Sequence, residues 1–334
     1  MKLSVAKLYG LIALLMICFG LVHIFWGPTE LFNVGHIREF LSPGTSSAEE
    51  QAWLVFNELR LPRTLLAALV GAALGVSGAL LQSFFKNPLA EPYVLGISSG
   101  AGFGAVAWSA FVAGWAGITL GGMISAFAGA VLVVALVIGV AQRGSSIFNH
   151  KLLLAGVAMG VLFTSLTTGI LLTANTDQFR AILTWLMGSV AYRGWDEVGL
   201  LLPVTVLGVV LATRMWRELD WLAMDEDAAY TSGVDVKRVK FKLLTIAVLL
   251  TSTSVALCGS VAFVGLIVPH TVRFFSGASH RHLLPLSAAG GAVIVIIADL
   301  LGRILIPGVE LPLSLISSVV GAVFFLALLN RKIR

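Results

Sequence analysis

Arg60, Arg63 and Arg303 sit at the ends of long apolar runs. A guanidinium fixed in such a place offers a planar fork of donors, which grips a carboxylate bidentately or anchors a lipid headgroup. Spacing alone leaves those two uses even. A second candidate is Asp225-Glu226-Asp227-Ala228-Ala229-Tyr230-Thr231-Ser232-Gly233-Val234-Asp235-Val236, where acidic residues lead a helix that Gly233 ends and a second short turn follows. This is either a solvated loop or a lever on which a second protein seats.

Other chemistries are missing from the chain. No Gly-Lys pair occurs, so the phosphate cradle of a nucleotide-binding loop is absent and this chain does not hydrolyse ATP. His23, His36, His150, His270, His280 and His282 show no metal-ligand spacing, and His280 and His282 read as an interfacial cluster in a turn. Cys18 and Cys258 both lie inside apolar stretches, where they supply packing and neither a disulfide framework nor a ligand pair. An ion-coupled carrier keeps carboxylates at mid-membrane despite their burial cost. Here nearly every carboxylate falls in a loop, and the exception, Asp299, reads as the i, i+4 partner of Arg303.

The elements that must position these residues are membrane spans. Of 334 residues, 58% are hydrophobic and 12% charged, and the mean hydropathy is +0.96. Ten spans of about 20 residues consume about 200 positions, leaving too little for a catalytic domain outside the bilayer. Apolar runs occur near 8–26, 64–85, 94–113, 118–141, 152–174, 195–214, 284–305 and 312–329. The first, which follows Lys2 and Lys7, has a signal-peptide look, but no small-residue cleavage pattern follows it and Phe25-Trp26-Gly27 reads as an interfacial anchor. The piece 241–276 is either one overlong helix or two short ones meeting near Cys258-Gly259.

Charge chooses between them. Ten spans with both termini cytoplasmic leave Arg38, Arg60, Arg63, Arg180, Arg193 and Arg303 outside and the other 16 of the 22 basic residues inside. Nine spans give 12 inside and 10 outside. The positive-inside rule prefers ten. The fold class expected is therefore an all-α polytopic membrane protein of about ten transmembrane helices. It forms a single domain over 1–334, with an acidic external loop at 27–59 and a cytoplasmic segment at 214–242. The net charge of +5 then reflects topology and not nucleic-acid binding.

Glycines recur at four-residue spacing, as in Gly71 and Gly75, Gly100 and Gly104, Gly117 and Gly121, and Gly156 and Gly160, a pattern that lets helix backbones approach closely. The stretch Phe179 to Val190 is amphipathic, as for a short helix at the bilayer surface. Each half of the chain carries a proline-bearing polar break, Asn87-Pro88-Leu89-Ala90-Glu91-Pro92 early and Val268-Pro269-His270 late, and paired breaks of this kind point to a transport pathway.

Taken together, these residues resemble the FecCD-type permeases of ABC importers for iron–siderophore complexes, haem and cobalamin. The resemblance runs from Leu59 to Leu329 and rests on Leu61-Pro62-Arg63-Thr64-Leu65, Gly78-Ala79-Leu80-Leu81-Gln82, Asn87 to Pro92 with Leu95-Gly96, Leu152-Leu153-Leu154-Ala155-Gly156, Gly259 to Leu266 with Pro269-His270, and Glu310-Leu311-Pro312. It implies a transport subunit, not an enzyme, in a bacterial inner membrane. The subunit pairs with a second permease chain, expected to be identical, and works with two cytoplasmic ABC ATPases and a periplasmic or extracellular substrate-binding protein. The cargo is a metal chelate; ATP and Mg belong to the ATPases, and no cofactor belongs to this chain.

By the same resemblance, Arg60, Arg63 and Arg303 dock the binding protein. Asp225, Glu226, Ala229, Tyr230, Gly233 and Val234 couple to the ATPase, within a segment matching roughly Leu222 to Val239. Asn87, Pro88 and Leu89, with Asn149 and His150, form the cytoplasmic gate. Met159, Phe163, Thr164, Thr168 and Leu172 share helical spacing in the fifth span and either line the path or pack the bundle. The mechanism implied is alternating access driven by the ATPases. Two other classes compete, a secondary carrier driven by an ion gradient and a structural scaffold. The missing mid-membrane acids weigh against the first, and the lever segment and outer arginines against the second.

Overall fold

A computed structural model describes residues 4–26, 47–115, 119–142, 148–191, 193–306 and 308–332. Most of the acidic loop expected at 27–59 lies outside the described residues; its last part is helical, as α2 (Ser47–Leu54) and a π-helical turn (Val55–Arg60). The remaining helices are α1 (Val5–Phe25), α3 (Leu61–Phe84), α4 (Ile97–Phe111), α5 (Leu120–Ala141), α6 (Phe148–Leu171), α7 (Thr176–Leu186), α8 (Trp195–Arg214), α9 (Trp216–Met224), α10 (Glu226–Thr231), α11 (Val236–Cys258), α12 (Val264–Ser276), α13 (His280–Ile304) and α14 (Leu313–Lys332), with a 3₁₀ turn at Pro92–Leu95. Among the described residues, seven helical stretches are long and apolar enough to cross a membrane: Val5–Phe25, Val55–Phe84, Leu120–Ala141, His150–Leu171, Trp195–Arg214, Val236–Cys258 and His280–Ile304.

Helix α3 is the axis of the bundle, packed on α13, α11, α12 and α8. Its glycines are the reason. A Cβ on Gly71 would strike the Gly291 carbonyl, one on Gly75 that of Ser287, and one on Gly78 that of Gly265. Gly100 and Gly104 do the same for α4 against α5, where they meet the carbonyls of Gly129 and Ser125. Lipid tails give helices no hydrophobic reason to associate, so close backbone approach and polar contacts supply the attraction. One such contact joins α3 to α11: Ser77 Oγ donates to the Ala247 carbonyl at 3.0 Å and lies 2.7 Å from Thr251 Oγ1. Interhelical bonds of this type are worth about 0.6 kcal/mol each.

The amphipathic stretch forms α7, which starts three residues earlier than its apolar face indicated. Asn175 Oδ1 accepts from Gln178 N at 3.0 Å and Gln178 Oε1 accepts from Asn175 N at 2.9 Å, a complete capping box. Ile182 and Trp185 face inward.

The ambiguous piece is two helices. α11 stops at Cys258 and α12 starts at Val264, with Gly259 and Phe263 both at positive φ, +72° and +67°. The late break therefore lies at 259–263, not at Pro269, which sits inside α12. Its missing N–H would have served the Gly265 carbonyl, one turn back. Gln82 of α3 fills that role instead, directing Nε2 at the Gly265 and Leu266 carbonyls at 3.4 and 3.2 Å.

We expect Gly71→Leu and Gly291→Leu each to force α3 and α13 apart and to lower the unfolding temperature of the detergent-solubilised protein by several degrees, whereas Gly139→Leu, in open space, should leave it unchanged. Differential scanning fluorimetry measures both.

Candidate functional site

At one end of the bundle the last turns of α1 and α13 meet the first turn of α3. Asp299 is the centre. Arg63 grips it bidentately, Nε to Oδ2 and Nη2 to Oδ1, both at 2.9 Å, while Arg63 Nη1 reaches Glu310 Oε1 at 3.0 Å. His23 Nε2 lies 2.8 Å from Asp299 Oδ2, and His23 Nδ1 lies 2.7 Å from Thr64 Oγ1. Arg303 stands one turn from Asp299 with Nε 3.4 Å from Oδ2, an ion pair without hydrogen-bond alignment, and donates from Nη2 to the His23 carbonyl at 3.1 Å. Arg60 Nη1 donates to the Ile24 carbonyl at 2.8 Å.

The structure thus brings the three arginines together, but as a buried network: Arg60 is 6% exposed and Arg303 7%. Glu310, which is exposed, and the edge of Arg63 form its accessible rim. The reading of Asp299 as a local partner of Arg303 holds, and the stronger partner is Arg63, 236 positions away. No local pattern connects those two residues. The only sequence signals were a lone Asp and a lone His inside apolar runs.

At the opposite end, Asp225 caps α10, its Oδ1 accepting from Glu226 N at 2.9 Å. Gly233, at φ +82°, ends the turn. Ala229 is buried, with its carbonyl taking Val234 N at 3.0 Å, while Tyr230 projects outward, 75% exposed. The second short helix of this segment is α9, which precedes the acidic run; after Gly233 the chain enters α11 directly. Trp221, Met224 and Tyr230 leave an exposed apolar surface on the pair.

This segment is tied to the bundle by Asp220. Its Oδ1 lies 2.6 Å from His280 Nδ1 and accepts from His280 N at 2.8 Å, and His280 Nε2 lies 2.6 Å from Ser83 Oγ. His280 therefore opens α13 rather than sitting in a turn. Ser83, His280 and Asp220 have the connectivity of a hydrolytic triad. The Ser83 hydroxyl, however, is 5% exposed and bonded to the Ala79 carbonyl at 2.9 Å, so the three serve as a tether.

The early break follows α3. Asn87 Oδ1 accepts from Leu89 N at 2.9 Å, closing a tight turn in which Asn87, Pro88 and Leu89 are exposed. His150 is exposed at the start of α6, and the side chain of Asn149 lies outside the described residues. Beyond the turn the chain plunges inward to the late break. Glu91 Oε1 accepts from Phe263 N at 2.6 Å, and the Tyr93 hydroxyl donates to the Val261 carbonyl at 3.0 Å while accepting from Val261 N at 2.9 Å. Ser314 Oγ donates to the Ser260 carbonyl at 2.7 Å.

Along α6, Thr164, Thr168 and Leu172 are exposed and Met159 is half-buried. Phe163 turns inward, edge-on to Phe103 with ring centroids 5.2 Å apart. Among the described residues, no group of three His, Cys, Asp or Glu side chains is placed to hold a metal ion.

Known proteins share this architecture. A solved chain described as an inward-facing metal-chelate type ABC transporter superposes with a TM-score of 0.84 at 28% identity, over 98% of this chain and 99% of that one. The cobalamin import system permease protein BtuC of Halobacterium salinarum is 38% identical over 296 residues, which is 88% of this chain and 79% of the relative. The Fe(3+) dicitrate transport system permease protein FecD of Escherichia coli is 39% identical, over 85% of this chain and 87% of its own length. The hemin transport system permease protein HmuU of Yersinia pestis is 34% identical over 90% of each chain. A family model matches residues 11–331; with the break, the glycine contacts and the end clusters in place, the chain belongs to the FecCD transport family.

Proposed function

We propose that this chain is the membrane-spanning permease subunit of an ATP-driven importer for an iron chelate, haem or cobalamin. It lies in the bacterial inner membrane as ten spans with both termini cytoplasmic. The short helices α4 and α12, with the 20-residue α14, complete the ten. The observation that carries this reading is the division of labour between the two ends: an arginine-rich polar cluster at one, an exposed two-helix lever at the other, with α3 running from Arg63 to Ser83 between them.

In this reading a substrate-binding protein docks through its own carboxylates over the end of the bundle that holds Arg60, Arg63 and Arg303, meeting the accessible edge of Arg63 while the buried Arg60 and Arg303 supply positive potential from beneath. Asp299 acts as the positioning residue that holds Arg63 and Arg303 in place. Asp225, Glu226, Ala229, Tyr230, Gly233 and Val234 seat a cassette ATPase that brings ATP and Mg. The chain works beside a second permease subunit, expected to be identical. Met159, Thr164, Thr168 and Leu172 line the path; Phe163 supports it from behind. Asn87, Pro88 and Leu89 close the path on the cytoplasmic side, with Asn149 and His150 opposite. ATP binding and hydrolysis move the levers, and the dimer alternates between outward and inward openings. A bulky chelate must be released as well as admitted, so its selection belongs mainly to the binding protein.

Reconstitution in liposomes with the cognate ATPase and binding protein tests the class: uptake should require hydrolysable ATP and survive a protonophore, and the reverse pattern would indicate an ion-driven carrier. Replacing Arg60, Arg63 and Arg303 together by Glu should weaken binding-protein affinity at low salt by roughly tenfold or more but should also destabilise the chain by crowding carboxylates around Asp299, whereas Arg63→Gln, at the accessible edge, should weaken affinity with a smaller fall in unfolding temperature; surface plasmon resonance and scanning fluorimetry together separate the two effects. Asp299→Asn should destabilise the chain by about 3–5 kcal/mol by stranding buried cations, seen as a lower unfolding temperature in detergent. Tyr230→Asp should leave expression intact while abolishing ATPase stimulation by the loaded binding protein.

A further inference from the structure

A cleft of about 1470 Å³ opens beside the lever, between the ends of α3 and α5 and the start of α11. It is larger than the 300–1,000 Å³ typical of sites for drug-sized ligands. Its wall is apolar, with Phe84, Ile138, Phe241 and Leu244 contributed by three spanning helices. Its mouth carries Lys237, Arg238, Lys240 and Lys242 against Glu226 and Asp235.

Both carboxylates are already engaged, Glu226 with Lys240 at 2.7 Å and Asp235 with Arg238 at 2.9 Å. Lys240 also lies over the Phe84 ring, 5.9 Å from its centroid. Among the described residues, Lys237 and Lys242 form no ion pair, so the mouth has two cations whose charge is unmatched. The N-terminal end of α11 lies at the same mouth and is already capped by Asp235, whose Oδ1 accepts from Arg238 N at 3.0 Å, so the attraction for an anion rests on the two lysines.

The outward stripe of α11 shows what kind of anion fits. Lys237, Phe241, Thr245 and Leu249 follow one another at i, i+4 along one face, all exposed, with Phe241 at 69%. An exposed apolar stripe on a spanning helix faces acyl chains, and the lysine one turn beyond it lies about 6 Å further along the axis, at headgroup depth. A ligand here must be apolar along its length and negative at one end.

We propose that this cleft binds an anionic phospholipid of the cytoplasmic leaflet, its phosphate between Lys237 and Lys242 and one acyl chain against Phe241 and Leu244. The leaflet rests on the topology given under Proposed function; the cleft and its charges do not. A lipid held there touches Tyr230 and Val234 of the lever, so bilayer composition would bear on coupling.

The test uses the full-length chain in detergent, stripped of lipid and titrated with phosphatidylglycerol or phosphatidylcholine under native mass spectrometry. Phosphatidylglycerol should bind roughly tenfold more tightly than phosphatidylcholine. The double variant Lys237→Gln, Lys242→Gln should lose that preference, the control Lys7→Gln, Lys151→Gln should keep it, and excess inorganic phosphate should not displace the lipid. Equal binding of the two lipids, an equal loss in the control, or displacement by phosphate alone overturns the proposal. So does a double variant whose lipid binding is unchanged while its affinity for the cassette ATPase falls, which would make the cleft a protein seat. The readout uses neither ATPase activity nor uptake, so its failure and a failure of the permease reading are separate results.

Discussion

The close approach of α3 to α13 and α12 is the constraint on which the rest of this structure depends. Gly71 and Gly75 lie against Gly291 and Ser287, and Gly78 lies against Gly265, at distances no side chain would tolerate. In lipid such contacts replace the hydrophobic drive that soluble bundles enjoy. The same approach sets both polar ends. Once α3 and α13 are locked in register, Arg63 meets Asp299 at one end and Ser83 meets His280 at the other. A shift of one turn, about 5.4 Å, would break both sets of contacts at once, so the two ends are mechanically one element.

The paired breaks obey a second rule, that backbone polar groups at membrane depth must find partners inside the protein. The two breaks satisfy each other. Glu91 and Tyr93, from the early break, serve the backbone of Val261 and Phe263 in the late one, and Gln82 serves the carbonyl freed by Pro269. The exposed turn at Asn87 to Leu89 is therefore joined by a few residues to the interrupted helix pair, and a movement of one carries strain into the other. Interlocked hydrogen bonds of this kind favour discrete arrangements over gradual deformation.

Asp299 shows how a buried charge can be structural in a transporter. A carboxylate inside the membrane is a natural candidate for a proton relay. This one is gripped by Arg63, approached by His23 and paired with Arg303, so its charge is spent on holding helices together.

Much of this protein was legible in its residues. Apolar runs and glycines at four-residue spacing each report a local property of a helix, and among the described residues the long apolar helices and the close contacts at Gly71, Gly75, Gly100 and Gly104 are present in the structure. The short helix between Asp225 and Gly233 was legible too, because those residues are start and stop signals that act within a turn, but its companion helix precedes the acidic run instead of following it. What only the tertiary structure decided are contacts between distant segments: Arg63 with Asp299, His280 with Asp220 and Ser83, and Gln82 with the turn behind Pro269. The residues left two places open, a proline break at Pro269 and a junction near Cys258-Gly259; the chain unwinds at Gly259 to Phe263, where Tyr93, Glu91 and Ser314 stand ready to pair the exposed backbone. Local sequence reports where a helix is weak. Whether it breaks there depends on which partners the rest of the fold brings within hydrogen-bonding reach.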